Sequence, residues 1–111
     1  MDPLRIAFFG TPEFAVPTLD ALLESRHEVV AVVSQPDRGR GRGRKLSASP
    51  VSVRAQAAEI PLLRPEQVDD PAVFEALEAQ APDLGVVVAF GQFIGRRIRE
   101  LPRLGYMINA H

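Results

Sequence analysis

Three runs of apolar residues predict buried strands: Leu4–Phe9, Val29–Val33 and Leu84–Phe90. They show little of the polar–apolar alternation that a strand with one solvent-facing side would have. Strands buried on both faces are typical of a parallel sheet with helices on each side. This feature restricts the chain to an α/β fold, in which the intervening segments supply the helices.

The segment after the first run predicts the first helix. Thr11 is expected to be its N-cap and Pro12 its first residue, and apolar residues continue at helical spacing to about Ser25. Pro17 is expected to bend or shorten the first turns. The other predicted elements are helices over Val51–Glu59, after Asp70-Pro71 and around Ile94–Leu101, and strands over Pro61–Leu63 and Tyr106–Ala110.

The order of these elements predicts one domain with a doubly wound, mostly parallel sheet of Rossmann-like type. About five strands are expected, in the spatial order 3-2-1-4-5. Ligands bind such sheets at the carboxyl ends of the strands where the winding reverses. Gly10-Thr11 and Ala89-Phe90-Gly91 are expected to border this crevice, with Asn109 and His111 at the same edge.

Residues 35–50 lack any periodicity and are predicted to form a basic loop. Five cations and no acid lie between residues 38 and 45, whereas the rest of the chain carries 8 cations and 14 acids. Guanidinium groups pair with phosphates by two hydrogen bonds, but the loop has no aromatic residue for base stacking. Residue types alone leave nucleic-acid binding and a solvated, mobile loop equally open.

Two further constellations each admit two interpretations. Gly10–Phe14 is either an anion-binding helix N-terminus or an ordinary strand-to-helix turn, and the absence of a Gly-x-Gly-x-x-Gly or P-loop pattern favours the turn. Asn109 and His111 share one side of a strand. They form either a polar strand end or a pair suited to oxyanion binding and proton transfer. His27 is expected to be a surface residue.

These segments together resemble the methionyl-tRNA formyltransferase branch of the folate-dependent formyltransferases. The resemblance rests on Gly10–Pro17, Gln35–Arg38, Gly41–Leu46, Ser49–Val51, Val86–Gln92, Leu101–Gly105 and the Asn109-x-His111 pair. Related enzymes for purine precursors or amino sugars share the Asn-x-His pair but lack this basic loop and turn. The resemblance implies that residues 1–111 are the N-terminal portion of a single formyltransferase catalytic domain, with the C-terminal remainder absent.

The resemblance also implies an activity: transfer of a formyl group from 10-formyltetrahydrofolate to the amino group of methionyl initiator tRNA, without a metal. Asn109 would hold the carbonyl oxygen as negative charge develops, and His111 would orient and assist proton movement. The folate pocket would be bordered by Phe90, Gly91, Gln92, Phe93 and Ile94. The tRNA would be contacted by Arg38, Arg40, Arg42, Arg44 and Lys45, with Arg42 ranked first.

Two departures from the family pattern affect these expectations. Gly39-Arg40 replaces the usual Pro-Ala, which makes the loop more flexible and more basic. The family's Ser-Leu-Leu-Pro stretch and catalytic Asp lie beyond His111, so the chain by itself is expected to be inactive. Two other functions stay open: an RNA-binding module that acts only through the basic loop, and a formyltransferase for a small amine such as an amino sugar or a purine precursor.

Composition bears on location and assembly. The chain has no cysteine, which excludes disulfides and thiolate metal sites and fits a reducing cytosol. No stretch approaches the roughly 18 apolar residues of a membrane span, and no signal-peptide pattern is present. A cytoplasmic protein without membrane contact is expected. An uncovered sheet edge at the fifth strand predicts self-association of the 111-residue chain, whereas the longer parent is expected to be a monomer.

Overall fold

The computed structural model describes residues 2–40, 43 and 45–110, and only the backbone of Arg40. Five parallel strands form its central sheet: β1 (Arg5–Gly10), β2 (Glu28–Val33), β5 (Leu62–Leu63), β6 (Leu84–Val88) and β7 (Met107–Asn109). Their spatial order is β5-β2-β1-β6-β7. The predicted α/β class, parallel sheet and strand order 3-2-1-4-5 are therefore confirmed.

Helices cover both faces of the sheet: α1 (Val16–Glu24), α2 (Pro50–Ala57), α3 (Pro71–Gln80) and α4 (Arg96–Arg99). Alternation along β1 sends Ile6 and Phe8 to one face and Ala7 and Phe9 to the other. The first layer is completed by Leu19 of α1 and by Val51 and Ala55 of α2. The second is completed by Val73 and Leu77 of α3 and by Ile98 of α4. The doubly wound arrangement thus follows from apolar side chains on both sides of each strand.

The start of the first helix differs from the prediction. A 3₁₀ turn over Glu13–Ala15 precedes α1, and no side chain caps either element. The expectation that Thr11 is an N-cap was wrong, because its hydroxyl instead donates to the carbonyl oxygen of Phe90 at 2.6 Å. Pro17 lies in the first turn of α1, where its missing N–H breaks no helical hydrogen bond. The shortened helix start agrees with the effect expected of this proline.

The segment predicted to be an irregular loop contains a β-hairpin. Strands β3 (Arg38–Arg40) and β4 (Lys45–Ser47) pair in antiparallel register, with Arg38 opposite Ser47 and Gly39 opposite Leu46. The expectation of a segment without regular structure was therefore wrong. An exposed two-stranded ribbon is held by hydrogen bonds between backbone groups and needs no apolar side chains. Strands of alternating glycine and arginine therefore show no hydrophobic pattern by which the sequence would predict them. We call residues 38–47 the basic hairpin.

Element ends follow local chemistry. Helix α2 begins at Pro50, one residue before the predicted start, because the Ser49 hydroxyl accepts a hydrogen bond from the backbone N–H of Ser52 at 3.1 Å. Strand β6 ends at Val88, because Ala89 adopts a φ of 48°. Asp70 caps α3 as its position before Pro71 suggests. Helix α4 spans only four residues of the predicted 94–101.

Charged side chains hold the amino ends of the strands. Asp83, just before β6, accepts hydrogen bonds from the backbone N–H of Arg5 at 2.9 Å and from the Arg103 guanidinium at 2.7 Å. The Arg5 amide, followed by the Arg103 guanidinium, holds the pKa of Asp83 below its ordinary value of 3.8. His27 is half-buried at the surface and accepts a hydrogen bond at Nδ1 from the backbone N–H of Leu4, so it also joins the segments that precede β1 and β2, which the sequence did not indicate.

Candidate active site

A crevice lies where the winding of the sheet reverses. The last register pair between β1 and β6 joins Gly10 to Val88, and β2 lies on the other side of β1. The chain leaves these ends as the 3₁₀ turn and as residues 89–94, which we call the 89–94 turn. Because both segments start at neighbouring carboxyl ends, they border the same crevice. The expected positions of Gly10-Thr11 and Ala89-Phe90-Gly91 are confirmed.

The 89–94 turn contains buried and exposed side chains in close succession. Phe90 is 2% exposed, and its ring meets that of Phe9 edge-on with centroids 5.6 Å apart. Phe93 is 80% exposed, whereas Ile94 is only 8% exposed. The aromatic ring of Phe90 therefore anchors the turn to the core, while Phe93 is available to a ligand.

A network of neutral side chains fixes the turn. The Gln35 amide donates to the carbonyl oxygen of Gly91 at 2.9 Å, and its oxygen accepts from Gln92 at 2.8 Å. Gln92 also donates to the carbonyl oxygen of Pro65 at 2.9 Å and accepts from the N–H of Val68 at 2.7 Å. Both amide hydrogens of Gln92 thus have protein partners, so this residue contributes to the site by holding the turn.

Asn109 lies between two cavities at the carboxyl edge. Their volumes are about 340 and 300 Å³, and both are lined by Val87, Gln92 and Asn109. The larger, which we call the Phe14 cavity, includes Phe14 and Ala110, and the smaller, the Phe93 cavity, includes Phe93, Ile94, Arg99 and Met107. Ala110 packs against the α1–α2 core layer and Met107 against the α3–α4 layer. The two cavities therefore meet at Asn109, one extending toward Ala110 and the other toward Met107.

The side chain of Asn109 is exposed at the end of β7, opposite Val87 in register. The neighbouring backbone is fixed, because the N–H of Ala110 donates to the carbonyl oxygen of Val87 at 2.9 Å. His111, the other predicted catalytic residue, lies outside the described residues. Of the predicted pair, only Asn109 is placed, and it lies at the edge where the sequence predicted it.

The basic hairpin leaves the same end of the sheet from the carboxyl end of β2. Arg38 and Lys45 are exposed, whereas the side chain of Arg40 and all of Arg42 and Arg44 lie outside the described residues. Arg64 forms an ion pair with Asp37 at 3.1 Å just before the hairpin. A buried hydroxyl cluster closes its base, in which Ser34 and Ser49 are 2.6 Å apart and Ser49 donates to Ser52 at 3.0 Å.

Comparison with known proteins places the chain in a family. A family model described as formyl transferase matches residues 4–111. The chain belongs to the formyl transferase family. The resemblance drawn from its motifs is thereby confirmed.

Among the formyl transferases that resemble the chain, several carry the name methionyl-tRNA formyltransferase. The protein from Thermobifida fusca (strain YX) is 52% identical over 97% of this chain and 34% of its own length. The protein from Pseudomonas syringae pv. syringae (strain B728a) is 50% identical over 99% of this chain and 35% of its own length. The chain therefore spans about a third of the length of these relatives.

Sequence reasoning missed the contribution of two polar residues in this formyl transferase chain. Thr11 was interpreted as a helix cap, and Gln35 only as the start of the basic loop, yet both fix the 89–94 turn. The available signal was their position, since each is a polar residue close behind a buried strand. Their partners lie 79 and 56 residues away in the chain, and no local pattern indicates such contacts.

Two other kinds of binding feature are absent from the described part of the chain. Within residues 2–40, 43 and 45–110, no group of three or more His, Cys, Asp or Glu side chains is arranged to hold a metal ion. None of the helices described is long and apolar enough to cross a membrane. The two cavities that Asn109 lines are the candidate site.

Proposed function

We propose that the protein containing this chain transfers a formyl group from 10-formyltetrahydrofolate to the amino group of methionyl initiator tRNA, in the cytoplasm at the start of translation. The observation that carries the proposal is the position of Asn109 in the lining of two neighbouring cavities. Two substrates, one in each cavity, can both reach one hydrogen-bond donor there. The names of the relatives support the choice of substrates.

The formyl donor fits the Phe93 cavity. Its walls are mainly the apolar side chains of Phe93, Ile94 and Met107, and Gln92, Arg99 and Asn109 add polar groups. Apolar walls with a few fixed polar groups are the usual lining for a flat heterocyclic ligand. Phe93 and Ile94 would contact the pterin ring, whereas Phe90, Gly91 and Gln92 would hold the turn in place. The folate supplies an activated formyl group when bound.

The side chain of Asn109 would stabilise the developing charge of the transfer. Its amide donates a hydrogen bond to the formyl oxygen as that oxygen gains negative charge, and the fixed β7 backbone keeps the donor in place. His111, two residues further, would orient the attacking amine and assist movement of its proton, a role that comes from the resemblance. By the resemblance, a catalytic Asp beyond His111 completes the site in the full-length protein, and the proposal assigns no step to a metal.

The acceptor end of the tRNA would approach through the Phe14 cavity. This cavity is bordered by Phe14 of the 3₁₀ turn, and the basic hairpin leaves β2 at the same end of the sheet. Arg38, Arg40, Arg42, Arg44 and Lys45 would contact phosphates near the acceptor end, with Arg42 as the first choice for a single substitution. The strongly basic hairpin supports a nucleic-acid acceptor over a small amine.

The test is formyl transfer by the full-length protein that contains this chain. With 10-formyltetrahydrofolate and methionyl initiator tRNA we expect turnover, and substituting Arg40, Arg42 and Arg44 by Ala should reduce the slope of log affinity for tRNA against log salt by about 2 to 3. Arg26→Ala, at an exposed arginine, is a single-charge control for Arg42→Ala.

Three results would contradict the proposal. Transfer to an amino sugar or purine precursor but not to tRNA would indicate a small-amine formyltransferase. Tight tRNA binding without transfer would indicate an RNA-binding module. Equal tRNA affinity in Arg42→Ala, the triple variant and Arg26→Ala would remove the hairpin from the interface.

A further inference from the structure

Gln35 lies between the end of β2 and the start of the basic hairpin, and three of its polar atoms bond to residues distant in sequence. Its amide nitrogen donates to Gly91 at 2.9 Å and its amide oxygen accepts from Gln92 at 2.8 Å. Its backbone N–H donates to the Thr11 hydroxyl at 3.3 Å. From these contacts we infer that Gln35 is a positioning residue for the formyl donor, an inference that rests on the function proposed above.

The contacts converge on one short stretch of the 89–94 turn. The carbonyl oxygens of Phe90 and Gly91 accept from Thr11 and Gln35, and Gln92 bonds to Gln35, Pro65 and Val68. Phe93 follows directly and is 80% exposed, so few contacts of its own fix its direction. The direction of Phe93 therefore depends on the residues before it, while Ile94 is held by its own packing in the core.

Gly91 shows how closely Gln35 packs on the turn. A Cβ atom at position 91 would lie 2.7 Å from the amide nitrogen of Gln35, and the φ of Gly91 is 97°, in the region that favours glycine. Only a residue without a side chain allows this approach. The Gln35 amide thus packs against the backbone of the turn as well as bonding to it.

The basic hairpin has separate anchors, so the side chain of Gln35 acts on the donor side. Ser34 and Ser49 close the hairpin base through buried hydroxyls 2.6 Å apart, and Arg64 holds Asp37 at 3.1 Å. Substitutions at Gln35 leave these contacts and its backbone N–H in place. A change in the side chain should weaken folate binding and leave tRNA binding nearly unchanged.

The test compares Gln35→Glu with Gln56→Glu in the full-length protein. The first replaces the donor to Gly91 with a carboxylate oxygen of nearly the same shape, while the second makes the same change at an exposed residue of α2. Calorimetry with tetrahydrofolate should give a dissociation constant about tenfold higher for Gln35→Glu, because the hydrogen bond to the carbonyl oxygen of Gly91 becomes a repulsion. The KM for the formyl donor should rise in parallel, with the KM for tRNA within about twofold of wild type.

Amide hydrogen exchange of Val68 gives a readout that does not depend on activity. Its N–H is bonded to Gln92, so loss of the Gln35 contact should accelerate its exchange in Gln35→Glu but not in Gln56→Glu. If the wild type turns over and both variants bind tetrahydrofolate equally well, the inference is wrong and the proposed function stands. A parallel loss of folate affinity, tRNA affinity and thermal stability would also overturn it, since it would show a general folding role. A wild type that neither transfers formyl groups nor binds tetrahydrofolate would overturn the proposed function itself.

Discussion

The two ends of the parallel strands are held together by different chemistry. At the amino ends, Asp83 binds Arg5 and Arg103 through its carboxylate. At the carboxyl ends, the hydrogen bonds that join the segments come from neutral groups of Thr11, Gln35 and Gln92. Amides and hydroxyls fix geometry without adding a net charge near a group where charge develops during a reaction. The network that fixes the 89–94 turn is therefore uncharged, whereas ion pairs help to hold the amino ends of the strands.

Cavity size does not separate the two ends. A cavity of about 450 Å³ lies at the amino end, larger than either cavity beside Asn109. Its lining includes Arg5 and His27, but Arg5 donates to the carbonyl oxygen of Gln80 at 2.7 Å and His27 accepts from Leu4 at 2.9 Å. Polar groups already used by the protein offer little to a ligand, so the pattern of free and occupied groups distinguishes the ends better than volume.

The largest predicted effect is at Asn109. In the full-length protein, Asn109→Ala should lower kcat for formyl transfer about 10² to 10³-fold, because the fixed donor to the formyl oxygen is lost. The melting temperature should stay close to that of the wild type, since the side chain is exposed. Steady-state kinetics and thermal unfolding measure the two quantities. A loss of stability as large as the loss of activity would erase the distinction between a reacting end and a structural end.

Gly91→Ala should have the next largest effect, with Gly105→Ala as the matched control. Both glycines have a positive φ, 97° and 79°, but a Cβ at Gly105 meets nothing within 4 Å. Gly105→Ala should cost about 1 kcal/mol in the free energy of unfolding from backbone strain, and Gly91→Ala roughly 1 kcal/mol more from its collision with Gln35. Urea unfolding measures both, and only Gly91→Ala should weaken tetrahydrofolate binding. Equal losses in the free energy of unfolding for the two variants would show that the 89–94 turn shifts away from Gln35 without cost.

The elements of the central sheet were predictable because apolar runs specify them. Val29–Val33 and Leu84–Val88 are buried on both faces, and the alternation of strands and helices leaves few possible strand orders. The basic hairpin was not predictable in the same way. Its strands are three residues each, carry glycine and cations, and are held by backbone pairing that leaves no hydrophobic pattern.

The candidate site was predictable only in part. Asn109 follows from strand alternation and from the edge at which parallel strands end. The network of Thr11, Gln35 and Gln92 does not, because it joins segments that only the tertiary fold brings together. Thr11 is an example. Its local sequence favours a helix cap, but its hydroxyl donates a hydrogen bond to the carbonyl oxygen of Phe90, 79 residues away in the chain.

The Asp83→Asn variant tests whether the carboxylate of Asp83 stabilises the amino ends of the strands. Because the folded-state pKa of Asp83 is lowered, its contribution to stability is present above the unfolded value near 3.8 and is lost as the pH falls through the folded value. The variant should be less stable than the wild type at neutral pH and should lose less stability below about pH 4. Urea unfolding across this range measures both, with Asp2→Asn as an exposed control. If the wild type and Asp83→Asn lost stability equally as the pH falls, or if the variant changed kcat at neutral pH, the purely structural role of Asp83 would be contradicted.

Self-association through β7 should be the smallest of the predicted effects. It concerns the edge strand that carries Asn109 at its carboxyl end. In the described part of the chain β7 pairs only with β6, and Ile108 on it is 47% exposed. An open edge of this kind pairs with a second copy, although three residues allow only weak binding. Sedimentation velocity of the 111-residue chain should show a mass that rises with concentration, and Ile108→Lys should suppress the rise. Protection from amide hydrogen exchange that is confined to residues 107–109 would place the contact on β7. A constant monomer mass at all concentrations would show that β7 does not pair with a second copy.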